Sequence, residues 1–106
     1  MDKNILLSEL IRIGSKVTEK GVGFYFPDDN SACAIGAAYW AKYLTKSMAG
    51  GSVAVDDFLN SMIGKDVSNN PETGFCQPLS SVIFSLNDKY GWTREKIADW
   101  LESIGY

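Results

Sequence analysis

The chain has 106 residues and a formal net charge of -3, with 45% hydrophobic and 22% charged residues. This balance is that of one globular domain spanning residues 1–106, and it excludes disorder of the whole chain. The chain has no histidine and only two cysteines, which excludes a Ser-His-Asp triad, a Cys-His dyad and an ordinary structural zinc site. The sequence therefore predicts neither a metal nor a cofactor.

The N-terminus and the charge pattern bear on location and partners. MDKNILLSEL has no long apolar core of a secretory signal, and no apolar run approaches the ~20 residues of a transmembrane helix. We therefore expect a cytoplasmic protein with reduced thiols and no membrane contact. Acidic residues concentrate in residues 51–106, where eight Asp/Glu stand against four Lys/Arg. A pI of about 4.8 disfavours nucleic acid as a partner, since nucleic-acid binders present a basic face.

The first predicted helix covers residues 4–20 and ends before Gly21. Apolar residues at spacings of 4, 3 and 4 predict its buried face, which is Leu6, Leu10, Ile13 and Val17, and Leu7 and Gly14 widen that face. Residues 21–30 follow as a short strand or extended arm that carries Phe24 and Tyr25. These rings have two interpretations: they fill the core, or they form a patch that faces a ligand or partner.

The second predicted helix, residues 31–47, is apolar nearly all round and is expected to be the central, most buried helix. Its Gly36 is best explained by another backbone packing close against it. The third predicted helix covers residues 52–63 and ends at Gly64. Its apolar stripe is Val55, Phe58, Leu59, Met62 and Ile63.

Residues 65–77 are predicted to form a long loop with a turn at residues 69–71, and Phe75 and Cys76 are expected to fold back inward. Pro78 suits the first turn of a fourth helix that ends before Gly91. Thr93 is predicted to cap a fifth helix, with Trp92 and Ile97 at the positions of a hydrophobic staple.

Cys33, in the first turn of the second predicted helix, has two interpretations. A helix N-terminus lowers a thiol pKa, which would suit a nucleophile or a redox sensor. However, the chain lacks a histidine base, and Asp28 and Asp29 would oppose a thiolate. Structural burial is the favoured interpretation.

The corner between the fourth and fifth helices carries the remaining candidates. Asn87 and Asp88 are expected either to bond exposed backbone groups at the turn or to form, beside Trp92, a polar cluster that recognises a partner. The segment from Thr93 resembles the first helix of a helix-turn-helix unit. DNA binding is disfavoured there, because Arg94 and Lys96 are opposed by acidic neighbours.

Two short motifs, Cys33-Ala-Ile-Gly-Ala37 and Leu86-Asn-Asp88 followed by Thr93, resemble those of a family of small uncharacterised bacterial and phage helical proteins. That family has Cys-Ala-Leu-Gly-Ala on one helix and Trp-Asn-Asp before a final Thr-led helix. The chain departs from this pattern at Ile35 and Leu86. The resemblance implies that Cys33, Gly36, Asn87 and Asp88 lie together, and it carries no activity.

These patterns predict a mostly all-α fold, a compact bundle of about five helices with room for one short β pairing between residues 23–26 and the Phe75 region.

The leading functional hypothesis is a non-enzymatic protein-interaction module of the phage or mobile-element accessory or inhibitor type, with no catalytic residues. The alternatives are a small-molecule or peptide pocket lined by Phe24, Tyr25, Trp40 and Trp92, or a cysteine-dependent enzyme or redox sensor. A protein partner is expected, and the oligomeric state is left open. The candidate binding residues are Phe24, Tyr25, Cys33, Asn87, Asp88, Trp92 and Arg94.

Overall fold

The computed structural model describes residues 6–21, 31–43 and 52–106. Within these ranges, five α-helices and two short strand pairs follow one another along the chain. Their bounds are α1 Leu7–Ser15, β1 Glu19–Lys20, β2 Ser31–Ala32, α2 Ala34–Tyr43, α3 Ser52–Ile63, β3 Val67–Asn69, β4 Cys76–Pro78, α4 Leu79–Phe84 and α5 Arg94–Ser103. The mostly helical class that the sequence predicts is confirmed. None of the helices described here has the length and apolar character needed to cross a membrane.

Helix α1 is shorter than predicted, and its buried face includes the predicted Leu7, Leu10 and Gly14 but is rotated away from Ile13 and Val17. It ends at Ser15 rather than near Gly21, and residues 1–5 lie outside the described residues. The predicted stripe was wrong at Ile13 and Val17, which are exposed. The buried face consists of Leu7, Ser8, Leu10, Ile11, Gly14 and Ser15.

The orientation of α1 is fixed by a close contact with α2 at Gly14. A Cβ atom placed on Gly14 would lie only 1.9 Å from the main-chain oxygen of Ala37 and 2.4 Å from its carbonyl carbon. Two backbones can approach this closely only where a side chain is missing. The sequence predicted a close backbone approach at Gly36 of α2. In the structure, the close approach is between Gly14 of α1 and Ala37, the residue after Gly36.

Helix α2 is the buried helix that its all-round apolar character predicts. It begins at Ala34 rather than at Ser31, because Ser31 and Ala32 pair in parallel with Glu19 and Lys20. Residues 44–51 lie outside the described part. One hydrophobic cluster joins α2 to α1, α3, α4 and α5. The prediction for α3 is confirmed in its bounds and at four stripe residues that are buried, Val55, Phe58, Leu59 and Ile63. The fifth, Met62, is only partly buried.

The predicted loop at residues 65–77 is an antiparallel hairpin in which Val67 faces Pro78 and Asn69 faces Cys76. The expectation that Phe75 and Cys76 fold inward was wrong, because both are exposed. The buried residue of the turn is Asn70, whose side-chain amide bonds to Gln77 and to the Glu72 N–H. The expected partner of the Phe75 region, residues 23–26, lies outside the described residues; β4 pairs with β3.

The predicted fourth helix is two elements. Helix α4 ends at Phe84, and residues Ser85–Lys89 continue as a π-helical turn. Gly91 then takes a positive φ of 67°, which glycine adopts without strain. The cap predicted for α5 is confirmed, since the Thr93 side chain accepts from the Lys96 N–H at 3.0 Å.

Helix α5 packs beside α1 through contacts at both its ends. Near its C-terminal end, Asp99 and Glu102 accept from the guanidinium of Arg12. Beyond α5, the main-chain oxygen of Tyr106 accepts from the Ser8 N–H at 3.0 Å, and the Tyr106 hydroxyl donates to Asp66. Tyr106 therefore links the start of α1 to the base of the β3–β4 hairpin.

The Gly14→Ala substitution tests the α1–α2 contact. Alanine normally stabilises a helix interior by about 1 kcal/mol relative to glycine. Here the added methyl collides with main-chain atoms, so we expect a loss of about 3 kcal/mol or more in the free energy of unfolding, measured by urea titration.

Ser8→Ala provides the control on the same helix. The Ser8 hydroxyl is buried and has no hydrogen-bond partner in the described structure. Removing it is expected to leave stability unchanged or raise it by about 1 kcal/mol. A stabilised Gly14→Ala protein would show that the two helices are not in backbone contact.

Candidate functional site

Four of the seven sequence-predicted candidates come together at the start of α2. They form a cluster, here called the α2-start cluster, of Cys33, Asn87, Asp88 and Arg94. Trp92 lies nearby in the chain but takes part in a separate set of contacts. Phe24 and Tyr25 lie outside the described residues.

Arg94, in the first turn of α5, is only 5% exposed and donates five hydrogen bonds. Its Nη1 donates to Thr18 Oγ1 at 2.6 Å and to the main-chain oxygens of Glu19 and Ala32, each at 3.2 Å. Its Nη2 donates to the main-chain oxygens of Thr18 at 2.6 Å and Ser15 at 3.2 Å. One side chain thus ties α5 to the end of α1, to β1 and to β2.

These contacts place the Arg94 charge in the interior, although the sequence suggested a candidate binding residue. Burial lowers the pKa of Arg94 from its ordinary value, and the charge of Glu95 offsets only part of this effect. The end of a helix carries partial negative charge, so the carbonyl oxygens after α1 are a favourable place for a cation. The guanidinium of Arg94 is therefore a buried charged group whose N–H groups donate to acceptors inside the fold.

Asn87 is 1% exposed and links three parts of the chain. Its Oδ1 accepts from the Ala34 N–H, in the first turn of α2, at 3.2 Å. Its Nδ2 donates to the main-chain oxygen of Gly21 at 2.9 Å and to Asp88 Oδ1 at 2.7 Å. This geometry fits the interpretation of Asn87 as a side chain that bonds exposed backbone groups. Asn87 caps α2, a helix that is distant from it in sequence.

The Cys33 sulfur lies just before α2 and accepts from the Gly36 N–H at 3.4 Å. Burial raises the pKa of this thiol to about 11 and outweighs the N–H groups of Gly36 and Ile35, which favour the thiolate. The nearby Asp88 carboxylate raises the pKa further. At neutral pH the group is therefore a neutral thiol, which is the opposite of what a nucleophile needs. The clustering that the family resemblance implied for Cys33, Gly36, Asn87 and Asp88 matches these contacts.

Trp92 is half-buried at the corner before α5, and polar groups hold its indole. The indole N–H donates to Glu72 of the hairpin turn at 2.6 Å. The Lys96 ammonium lies 4.0 Å from the ring centroid, a cation–π distance. The corner and the hairpin turn are therefore joined into one surface.

No residue of the hairpin turn was among the binding candidates predicted from the sequence. Its main chain is braced by Asn70, whose N–H donates to the Phe75 oxygen and whose main-chain oxygen accepts from the Gly74 N–H. The Asn70 side chain also accepts from the Glu72 N–H at 2.8 Å. On this braced turn, Phe75 is 72% exposed. An apolar residue that follows turn-forming residues is compatible with burial as well as with exposure. The sequence therefore did not indicate that Phe75 is exposed.

Other kinds of site have little support in the described residues. They contain no group of three or more Cys, Asp or Glu side chains that could hold a metal ion. A cavity of about 330 Å³ opens beside Lys16, Val17, Thr18 and Glu19. The aromatic pocket proposed from the sequence stays a prediction, because two of its four residues lie outside the described part.

The chain matches no family model, no curated protein and no solved structure.

Thiol labelling tests the state of Cys33. With a pKa of about 11, roughly a thousandth of the thiol is ionised at pH 8, and burial also blocks access. We expect a thiol-specific reagent to modify Cys76 quickly in the native protein and Cys33 only after denaturant is added. Cys76→Ser and Cys33→Ser proteins assign the two phases, and fast native labelling of the Cys76→Ser protein would contradict the structure.

The chain's two arginines form a natural pair for testing Arg94. Arg94→Met preserves much of the side-chain volume but leaves the buried main-chain oxygens of Ser15 and Thr18 without their Arg94 donor. Each such loss is worth about 1–3 kcal/mol. We expect a loss of at least about 3 kcal/mol in the free energy of unfolding. Arg12→Met removes an exposed ion pair instead, so its effect should be far smaller in the same urea titration. Equal losses would show that the Arg94 contacts do not carry this stability.

Proposed function

We propose that this protein is a non-enzymatic protein-interaction module that contacts its partner through the hairpin-tip surface. This surface consists of Glu72 and Phe75 on the hairpin turn, with Trp92 and Lys96 at the corner before α5. The observation that carries the proposal is the 72% exposure of Phe75. We assign the module to the accessory or inhibitor type, as its small size and acidic charge suggest.

The exposure of Phe75 is supported as a binding feature by the rigidity of the turn beneath it. Hydrogen bonds from Asn70 close the turn, and Thr73 Oγ1 accepts from the Phe75 N–H at 3.2 Å. A preorganised turn loses little conformational entropy when a partner binds. Burying a phenylalanine side chain contributes about 1.5–3 kcal/mol, which makes Phe75 a suitable anchor.

Trp92 adds a second aromatic group with a polar handle. Tryptophan is enriched among residues that dominate binding energy, because it combines a large apolar area with one hydrogen-bond donor. Here the donor is used by Glu72 and the ring face by Lys96. The ring is thus held in one orientation before a partner arrives.

The electrostatics support a protein partner over a nucleic acid. The chain carries a net charge of -3, and the buried cation Arg94 is committed to internal acceptors. Phosphate backbones are bound by exposed Lys and Arg clusters. A neutral, buried Cys33 thiol likewise gives no support to the cysteine-dependent enzyme.

The proposal is tested by capture from a lysate of the source organism, followed by affinity measurement with the identified partner. Phe75→Ala is expected to weaken binding at least about tenfold, which corresponds to 1.4 kcal/mol. The control is Val17→Ala, since Val17 is 58% exposed but lies in the turn between α1 and β1, away from the hairpin.

Three results would count against the proposal. Capture of no stoichiometric partner at either low or high salt would remove the interaction function. Equal binding by the Phe75→Ala and wild-type proteins would move the contact away from the hairpin tip. A loss of binding with Val17→Ala alone would place the contact on the α1 side of the molecule.

A further inference from the structure

We infer that the outer edge of β3 pairs with β3 of a second copy of this chain, so that two hairpins form one four-stranded antiparallel sheet. This inference is independent of the proposed partner at the hairpin tip. It rests on the main-chain groups of the strand edge, and it is measured on the protein alone.

The register of the hairpin decides which main-chain groups face outward. The Leu79 N–H donates to Asp66, and the Asn70 N–H donates to Phe75, each at 2.8 Å. In an antiparallel pair, bonded and non-bonded residue pairs alternate. Val67 and Asn69 therefore belong to non-bonded pairs, and their N–H and C=O groups point away from β4.

The two edges of the hairpin are not equivalent. On β4, the outward-facing residues are Cys76 and Pro78, and proline has no N–H to offer. On β3, Val67 and Asn69 each present both a donor and an acceptor. A strand can therefore be added to β3 with a complete set of hydrogen bonds, but not to β4.

A second copy is a complementary occupant of this edge. When two β3 strands run antiparallel with Ser68 facing Ser68, Val67 of each copy faces Asn69 of the other. The two pairs exchange four main-chain hydrogen bonds and use every outward group of both strands. The arrangement has closed two-fold symmetry, the commonest form of oligomer.

The charges and side chains around the edge also fit this pairing. Lys65 of each copy lies beside the turn that carries Glu72 of the other, and Asp66 faces Asn70, so no like charges stand opposite each other. Val67, which is 61% exposed, shares one face with Cys76 and Pro78.

Proline substitutions provide a matched test, because Asn69 and Cys76 face each other across the hairpin. Each substitution removes one outward N–H that the hairpin itself does not use. Sedimentation equilibrium from about 10 μM to 1 mM, under reducing conditions, measures association; short strands bury little area, so a weak dimer is expected. Asn69→Pro should weaken dimerisation at least tenfold, and Cys76→Pro should leave it unchanged.

Circular dichroism and melting curves establish that both variants fold. If Asn69→Pro does not fold, Val67→Lys replaces it, since edge lysines of two copies repel each other and prevent strand pairing. Val67→Thr is its uncharged control. A wild-type protein that stays monomeric to 1 mM overturns the inference, as does a dimer that survives Asn69→Pro or is lost with Cys76→Pro.

Discussion

A buried guanidinium needs acceptors on all sides, and this requirement organises the described part of the protein around Arg94. Removing an ion from water costs several kcal/mol unless other groups replace the lost hydrogen bonds. The acceptors of Arg94 come from the end of α1, from β1 and from β2, although Arg94 itself begins α5. These segments must converge for one side chain to reach them all. The parallel pairing of Glu19 with Ser31 is the consequence, since it brings the two chain segments to the same point.

The start of α2 also needs hydrogen-bond acceptors in the interior, and neutral groups supply them. The first N–H groups of a helix have no partner within the helix, and a buried start must find acceptors elsewhere. Asn87 supplies one for Ala34, and the Cys33 sulfur supplies one for Gly36. The π-helical turn belongs to this arrangement, since it carries the Asn87 side chain that accepts from the Ala34 N–H. Residues that suggest chemistry in the sequence are thus used to satisfy the backbone of the central helix.

The parts of the fold that could be predicted are those set by local signals. Helix α3 has a clear apolar stripe and a terminal glycine, and Thr93 caps α5 through a bond within its own first turn. The buried face of α1 was predicted at Leu10 and Gly14 but not at Ile11. Its orientation depends on Gly14 meeting Ala37 of another helix, which no local spacing reveals. The exposure of Phe75 likewise depends on Asn70 taking the inward position. Clustering of Cys33 with Asn87 was implied by the resemblance, whereas the burial of Arg94 required knowledge of its distant acceptors.

The distribution of polar and apolar groups separates the structural cluster from the surfaces left for binding. In the α2-start cluster, donors and acceptors are matched internally, so little binding capacity remains there for a ligand. The β3–β4 hairpin has the opposite character, because Phe75 and Val67 contribute exposed apolar area that does little for folding. The hairpin tip offers side chains, and the β3 edge offers main-chain groups that the hairpin does not use. The interior thus fixes one conformation, and the β3–β4 hairpin leaves apolar side chains and main-chain groups at the surface.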